Sequence, residues 1–159
     1  MQRSQDIENI LIELARRGET LSIAESCTGG LLSSAFTDIA GASRVFQGGI
    51  VAYQDAIKIK HLGVQASLIE QHSAVSAPVA AAMALNVAQI FQTDWSLATT
   101  GFLCPNPSLP EDQLGTVFLS GLTPKGLWTV KTIITEDRIA AKKAIVAQAI
   151  QILAEKIFS

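Results

Sequence analysis

One short segment of this sequence concentrates groups that could do covalent chemistry. Glu25-Ser26-Cys27-Thr28-Gly29-Gly30 sets a carboxylate, a hydroxyl, a thiol, a second hydroxyl and two glycines in a row. A side-chain nucleophile needs a base to take its proton and N–H donors to hold the charge that develops on the attacked carbonyl. Ser26 and Cys27 are the candidate nucleophiles. No histidine stands near them, since His61 and His72 lie elsewhere in the chain. A lysine can act as the base when desolvation loosens its proton. The same residues also admit a plainer reading, in which Ser26 and Thr28 cap a helix and Cys27 packs as a small apolar side chain.

The elements around the segment decide what it can present. Residues 20–24 form an apolar run that reads as a buried strand, and a helix opens at Leu31-Leu32-Ser33-Ser34-Ala35-Phe36. A strand–turn–helix junction exposes unpaired N–H groups and the positive end of a helix dipole, both of which favour an anion. Upstream, Ser4 is positioned to cap a helix with apolar residues Ile7, Ile10, Leu11 and Leu14, ended by Gly18. Gly41 is expected to close the second helix. Residues 45–53 read as a second strand, with Gly48-Gly49 marking a bulge or a close backbone approach.

Asp55 is expected to cap a short helix carrying Lys58 and Lys60 and stopped by Gly63, and Asp38 is also given a capping role. Ser76 and Pro78 begin an Ala-rich helix. Residues 96–100 read as a buried strand, and residues 101–115 as an irregular loop with Pro105, Pro107 and Pro110. Residues 116–121 and 127–135 suggest a hairpin across residues 122–126. A last helix spans residues 137–157, with Ile145, Ala149, Ile152 and Leu153 facing inward. Strands alternating with helices, plus one hairpin, predict an α/β fold: a three-layer α/β/α sandwich over a mixed, mostly parallel sheet.

Composition narrows the function classes. The 159 residues match one domain, residues 1–159, and 48% hydrophobic against 16% charged residues excludes intrinsic disorder. Twelve Lys+Arg against fourteen Asp+Glu leave a net charge of −2, without the basic excess of a nucleic-acid binder. Two cysteines and two histidines fit no zinc-ligand spacing, so no metal is expected. The start lacks the apolar core of a secretory signal, and the expected compartment is the cytoplasm. The uncharged stretch 73–93 is long enough to span a bilayer, but its Ser, Pro, Asn and Gln residues favour a buried helix and no membrane contact.

Beyond these features, Ala24-Glu25-Ser26-Cys27-Thr28-Gly29-Gly30 resembles the signature of the CinA C-terminal domain family, the nicotinamide-nucleotide amidases. The likeness continues through Thr37-Asp38-Ile39-Ala40-Gly41-Ala42-Ser43, Gly49-Ile50-Val51-Ala52-Tyr53, Lys58, Leu62-Gly63-Val64 and His72-Ser73-Ala74-Val75-Ser76. It ends with Gly115-Thr116-Val117 and Asp137-Arg138. The resemblance implies hydrolysis of the carboxamide of nicotinamide mononucleotide to nicotinate mononucleotide and ammonia, with no cofactor and a homodimeric assembly. It further implies that Ser26 is the nucleophile, Lys58 its base, and Tyr53 their neighbour. Arg138 and Gly101 would face the small-molecule nucleotide, and Thr28, Gly29 and Gly30 would form an anion-binding turn.

Three departures from the family pattern stand out. Gly101-Phe102-Leu103-Cys104-Pro105-Asn106-Pro107-Ser108 replaces a Gly-Ile-Ala-Gly-Pro-x-Gly-Gly loop. Asp112-Gln113-Leu114 replaces a Lys-Pro before the next strand, and Lys142 stands where arginine is common. The lost glycines motivate a second expectation, of a catalytically impaired paralogue that binds nucleotides or serves in assembly. A thiol enzyme built on Cys27 is the third. Glu25, at the end of a buried strand, is expected to pair with Lys58 or Arg138, and Lys142 and Lys143 to lie on a solvated helix face.

Overall fold

Strand β1 (Leu21–Glu25) is buried along its whole length and organises the rest. Leu21 and Ile23 project into one hydrophobic core and Ala24 into a second, on opposite faces of the sheet. The computed structural model describes residues 2–105, 107 and 110–159. Strands β2 (Phe46–Val51) and β3 (Trp95–Gly101) flank β1 in parallel. Strands β4 (Thr116–Thr123) and β5 (Gly126–Ile133) form an antiparallel hairpin beside β3, giving the order β2-β1-β3-β4-β5. Among the described strands only β4 runs against the common direction.

Helices cover both faces. Helices α1 (Gln2–Arg17), α2 (Leu31–Thr37) and α6 (Arg138–Phe158) enclose a core containing Ile10, Leu14, Phe36, Ile145 and Leu153. Helices α3 (Asp55–Leu62), α4 (Ala66–His72) and α5 (Ala77–Phe91) enclose one built on Leu62, Val79, Met83 and Val87. The α/β/α sandwich predicted from the periodicity is the architecture observed. The uncharged stretch is α5, whose Ala80, Ala84 and Ala88 are buried on the side of the sheet that presents Ala24 and Ala98. Small residues on both sides let helix and sheet approach closely. Among the described residues no helix is long and apolar enough to cross a membrane.

Several boundaries differ from the sequence reading. Helix α1 is already running at Ser4, which therefore caps nothing; Gln2–Asp6 and Gln5–Asn9 side-chain bonds extend its first turn. Helix α2 ends at Thr37, with Asp38 at its C-terminal boundary, and Gly41, at φ +85°, opens a 3₁₀ turn over Ala42–Arg44. Gln54, not Asp55, precedes α3, and Asp55 is its first residue. Helix α4 has no counterpart in the sequence reading: none of its seven residues is fully buried, and only Leu68 and Ile69 pack, half-buried, on the second core, too few to make a repeating stripe. The hairpin strands reach Thr123 and Gly126, leaving only Pro124-Lys125 between them. Ser76 accepts from the Val79 amide, as expected of a cap, and Gly63 ends α3 at φ +67°. Ile152 lies at the edge of the inner face rather than within it.

The glycine pair in β2 also behaves as expected. The register shifts between Leu21 and Ser22, and a Cβ on Gly49 would come 2.8 Å from both Ile23 O and Ser33 Oγ. A more severe demand falls on Gly115. It sits at φ +83°, and its N–H donates to Phe102 O at 2.7 Å while its carbonyl accepts from Ile134 N. A Cβ there would collide with the Ile134 carbonyl oxygen. Gly115→Ala is expected to destabilise the fold by about 2 kcal/mol or more, through strain and the backbone clash. Urea denaturation reads this directly, and a midpoint equal to the parent's would refute it.

Candidate active site

Strands β2 and β3 lie on opposite sides of β1, so the chain leaves the carboxyl ends of β1 and β3 in opposite directions. Such a divergence opens a crevice in an α/β sheet. Ser26 follows directly on β1, and Gly101 closes β3. Between them lies a cavity of about 180 Å³, lined by Ser26, Tyr53, Asp55, Lys58, Gly101 and Arg138 among others. Five residues singled out in the sequence therefore meet in one place, drawn from β1, the β2–α3 connection, α3, β3 and α6.

At the centre, Lys58 Nζ donates to Ser26 Oγ at 3.0 Å and to the Tyr53 carbonyl at 3.3 Å. Lys58 retains only 2% exposure, the long side chain lying within the domain. Burial pushes its amine below the ordinary lysine range, with Asp55 opposing at 3.7 Å. Ser26 is 7% exposed and fixed by its N–H, which donates to Thr99 O. A buried hydroxyl beside a desolvated amine is the arrangement that activates a serine without histidine. Tyr53 holds the lysine through its backbone carbonyl, while its hydroxyl accepts from Arg138 Nη1 at 3.4 Å.

Thr28, Gly29 and Gly30 do not line the cavity, among the described residues. Thr28 is fully buried, its hydroxyl donating to Glu25 Oε1 at 2.7 Å and bonding to Thr99. The Gly29 N–H closes onto Ser26 O, and the Gly30, Leu32 and Ser33 amides all donate to the Glu25 carboxylate. Ser33 Oγ adds a further bond to Glu25 at 2.6 Å. The positive end of α2 is thus already occupied by an internal anion, and the expected anion-binding turn is spoken for. By the same bonds Glu25, fully buried, pairs with neither Lys58 nor Arg138. Among the described residues the Cys27 and Thr28 amides have no backbone acceptor.

The remaining residues refine the picture. Gly101 is required by close approach: a Cβ there would lie 2.8 Å from Val117 Cγ2 and 3.3 Å from Cys27 Sγ. Lys143 is exposed, as expected of a solvated face, and Lys142 is half-buried, with its Nζ 3.3 Å from where a Gly29 Cβ would stand. Phe102, Leu103 and Cys104 of the rewritten loop line the cavity, whereas Pro105 and Pro107 line a neighbouring hollow. Asn106 and Ser108 of that loop lie outside the described residues. Asp55, read from the sequence only as a cap, proves to face the amine; its i, i+3 spacing to Lys58 was the available signal.

Cys27 packs into the core, and burial pushes its thiol up to about 12. It is therefore a neutral thiol at ordinary pH, unsuited to nucleophilic attack. Cys104 is exposed. Iodoacetamide at neutral pH is expected to modify one cysteine in the native chain and two after denaturation. Mass spectrometry placing the native label on Cys27 would contradict this.

The fold and site together define an α/β/α domain with a buried Ser–Lys pair at the sheet's divergence point. Residues 4–157 match the family model described as the CinA C-terminal domain, and the chain belongs to that family. It is 54% identical over 110 residues to a CinA-like protein of Prochlorococcus marinus, covering 68% of this chain and 26% of that protein. It is 35% identical over 150 residues to a putative competence-damage inducible protein of Thermoanaerobacter sp., covering 94% and 36%. The chain thus spans about a quarter to a third of the length of these relatives. Among solved structures, the competence/damage inducible protein CihA from Agrobacterium tumefaciens matches with TM-score 0.92 and 28% identity, covering 100% of this chain and 97% of that one. A CinA superfamily protein from Escherichia coli matches with TM-score 0.85 and 32% identity, covering 94% and 91%.

Proposed function

We propose that the chain is an amidohydrolase that deamidates nicotinamide mononucleotide to nicotinate mononucleotide and ammonia. The observation that carries this reading is the 3.0 Å contact between Ser26 Oγ and a buried Lys58 Nζ. Neutral Lys58 takes the Ser26 proton as Oγ attacks the carboxamide carbon. The Cys27 amide, beside Ser26 at the cavity, is the donor left for the oxyanion. As the C–N bond breaks, Lys58 returns its proton to the departing nitrogen, which leaves as ammonia. Water then attacks the acyl-serine, again losing its proton to Lys58, and the carboxylate product departs as Oγ is reprotonated.

Arg138 presents a fixed positive charge at the cavity, suited to the nucleotide phosphate. Tyr53 and Gly101 complete the substrate's surroundings. The reaction needs no metal or organic cofactor. We place the protein in the cytoplasm as a homodimer, without nucleic-acid or membrane partners. Incubation with nicotinamide mononucleotide and a coupled ammonia assay tests the reading. Stoichiometric ammonia and nicotinate mononucleotide are expected, and binding without turnover would point instead to an impaired paralogue.

A further inference from the structure

The Ser–Lys pair has a third member that the proposed reaction does not use. Lys58 Nζ faces three oxygens: Ser26 Oγ at 3.0 Å, the Tyr53 carbonyl at 3.3 Å and Asp55 Oδ1 at 3.7 Å. The first two are neutral dipoles on buried or backbone groups. Asp55 is the charged one, and its side chain is 59% exposed at the cavity. We infer that Asp55 is a positioning residue of this site, whose carboxylate governs how firmly Lys58 keeps its proton and hence the pH range in which Ser26 is nucleophilic. The inference rests on the Ser–Lys reading above and assigns the regulation of that pair.

Other charged groups around the amine do not compete for this role. Glu25, on the β1 side, is saturated by the amides and hydroxyls of the α2 turn. Cys27 is a neutral thiol, and Arg138 of α6 donates to the Tyr53 hydroxyl. Lys142 of α6 lies over Gly29. Lys60 and His61, on α3 itself, are exposed. Cys104, on the loop after β3, is the other thiol at the cavity. Among the described residues Asp55 is the one carboxylate within 4 Å of the amine. Burial and Asp55 act in opposite directions: the first weakens the lysine's hold on its proton, and the second strengthens it. Because Asp55 is exposed, water and salt moderate its pull, which leaves the amine responsive to conditions.

The test uses phosphonylation of Ser26 by a fluorophosphonate, independent of any natural substrate. Ser26 Oγ bonds to phosphorus, fluoride leaves, and Lys58 takes the hydroxyl proton. In the parent the labelling rate rises with pH as Lys58 becomes neutral. In Asp55→Asn this rise is expected at lower pH, making labelling on the acid side about fivefold faster, since a charge near 4 Å in watery surroundings contributes ~1 kcal/mol. Asp55→Glu should return the profile toward the parent's. Added salt should shift the parent's profile in the Asp55→Asn direction and leave that of Asp55→Asn in place.

Superimposable parent and Asp55→Asn profiles would overturn the inference while leaving the Ser–Lys pair standing. Labelling absent from the folded parent would instead overturn the pair itself. Should Asp55→Asn melt early, the salt dependence of the parent alone decides: a profile insensitive to salt overturns the inference.

Discussion

On the proposed reaction, Ser26→Ala is expected to lower ammonia release from nicotinamide mononucleotide by about 10⁴-fold or more, and Lys58→Met by about 10²–10⁴-fold. The first removes the atom that forms the acyl-enzyme, the second the group that takes its proton. Double replacement costs little more than the worse single one, because the two side chains act as a unit. The pH dependence follows from the burial of Lys58. The reacting form in the proposed reaction is the neutral amine, so the parent's activity is expected to rise with pH as the proton leaves. Burial brings that rise below the range of an ordinary lysine. In Lys58→Met the residual activity loses this dependence.

The same group leaves a mark on stability. The unfolded chain binds the Lys58 proton more tightly than the folded one, so over the interval between the two the fold becomes more stable as pH rises. Lys58→Met removes that slope. Steady-state rates and denaturation midpoints, measured in parallel across the alkaline range, check both statements. A parent-like pH profile in Lys58→Met would exclude the lysine as base.

Glu25→Gln produces the largest loss of stability expected in the molecule, about 3–5 kcal/mol, or roughly a 10 °C fall in Tm. The carboxylate is fully buried and accepts from Thr28 Oγ1, Gly30 N, Leu32 N, Ser33 N and Ser33 Oγ. An amide of the same shape brings its own donors against these donors and removes a charge favoured by the α2 dipole. The turn that carries Ser26 loosens as a result, so catalysis falls with stability. Ser26→Ala serves as the contrast, keeping the Glu25 bonds and a near-parent Tm. Calorimetry decides the matter; a Glu25→Gln midpoint within about 1 kcal/mol of the parent would show that the turn is held by other means.

These two predictions separate what each level of description supplies. The alternation of strand and helix was written in the sequence as apolar runs and 3.6-residue stripes, and the long helices α1, α5 and α6 followed from it. The short helices α2 and α3 were marked by their flanking glycines, but α4, with only Leu68 and Ile69 half-buried, leaves no periodic trace. The residues of the candidate site were legible too, since Ser26, Tyr53, Lys58, Gly101 and Arg138 all reach one cavity. What they do there depends on partners far away in the chain.

Glu25 and Lys58 illustrate the difference. Both are charged residues in apolar surroundings, and the sequence offered them to each other. Folding instead turns Glu25 toward the α2 amides and Lys58 toward Ser26, on separate sides of the turn. The sequence by itself determined the layers and the strands, because burial patterns are local properties, and its resemblance to a known family singled out Ser26, Tyr53, Lys58, Gly101 and Arg138 as candidates. Only the tertiary structure decided that the anion site of α2 is filled from within, that Asp55 faces the amine, and that the lysine is desolvated. Hydrogen-bond partners and dielectric surroundings are set by which surfaces close on one another, and no linear spacing encodes them.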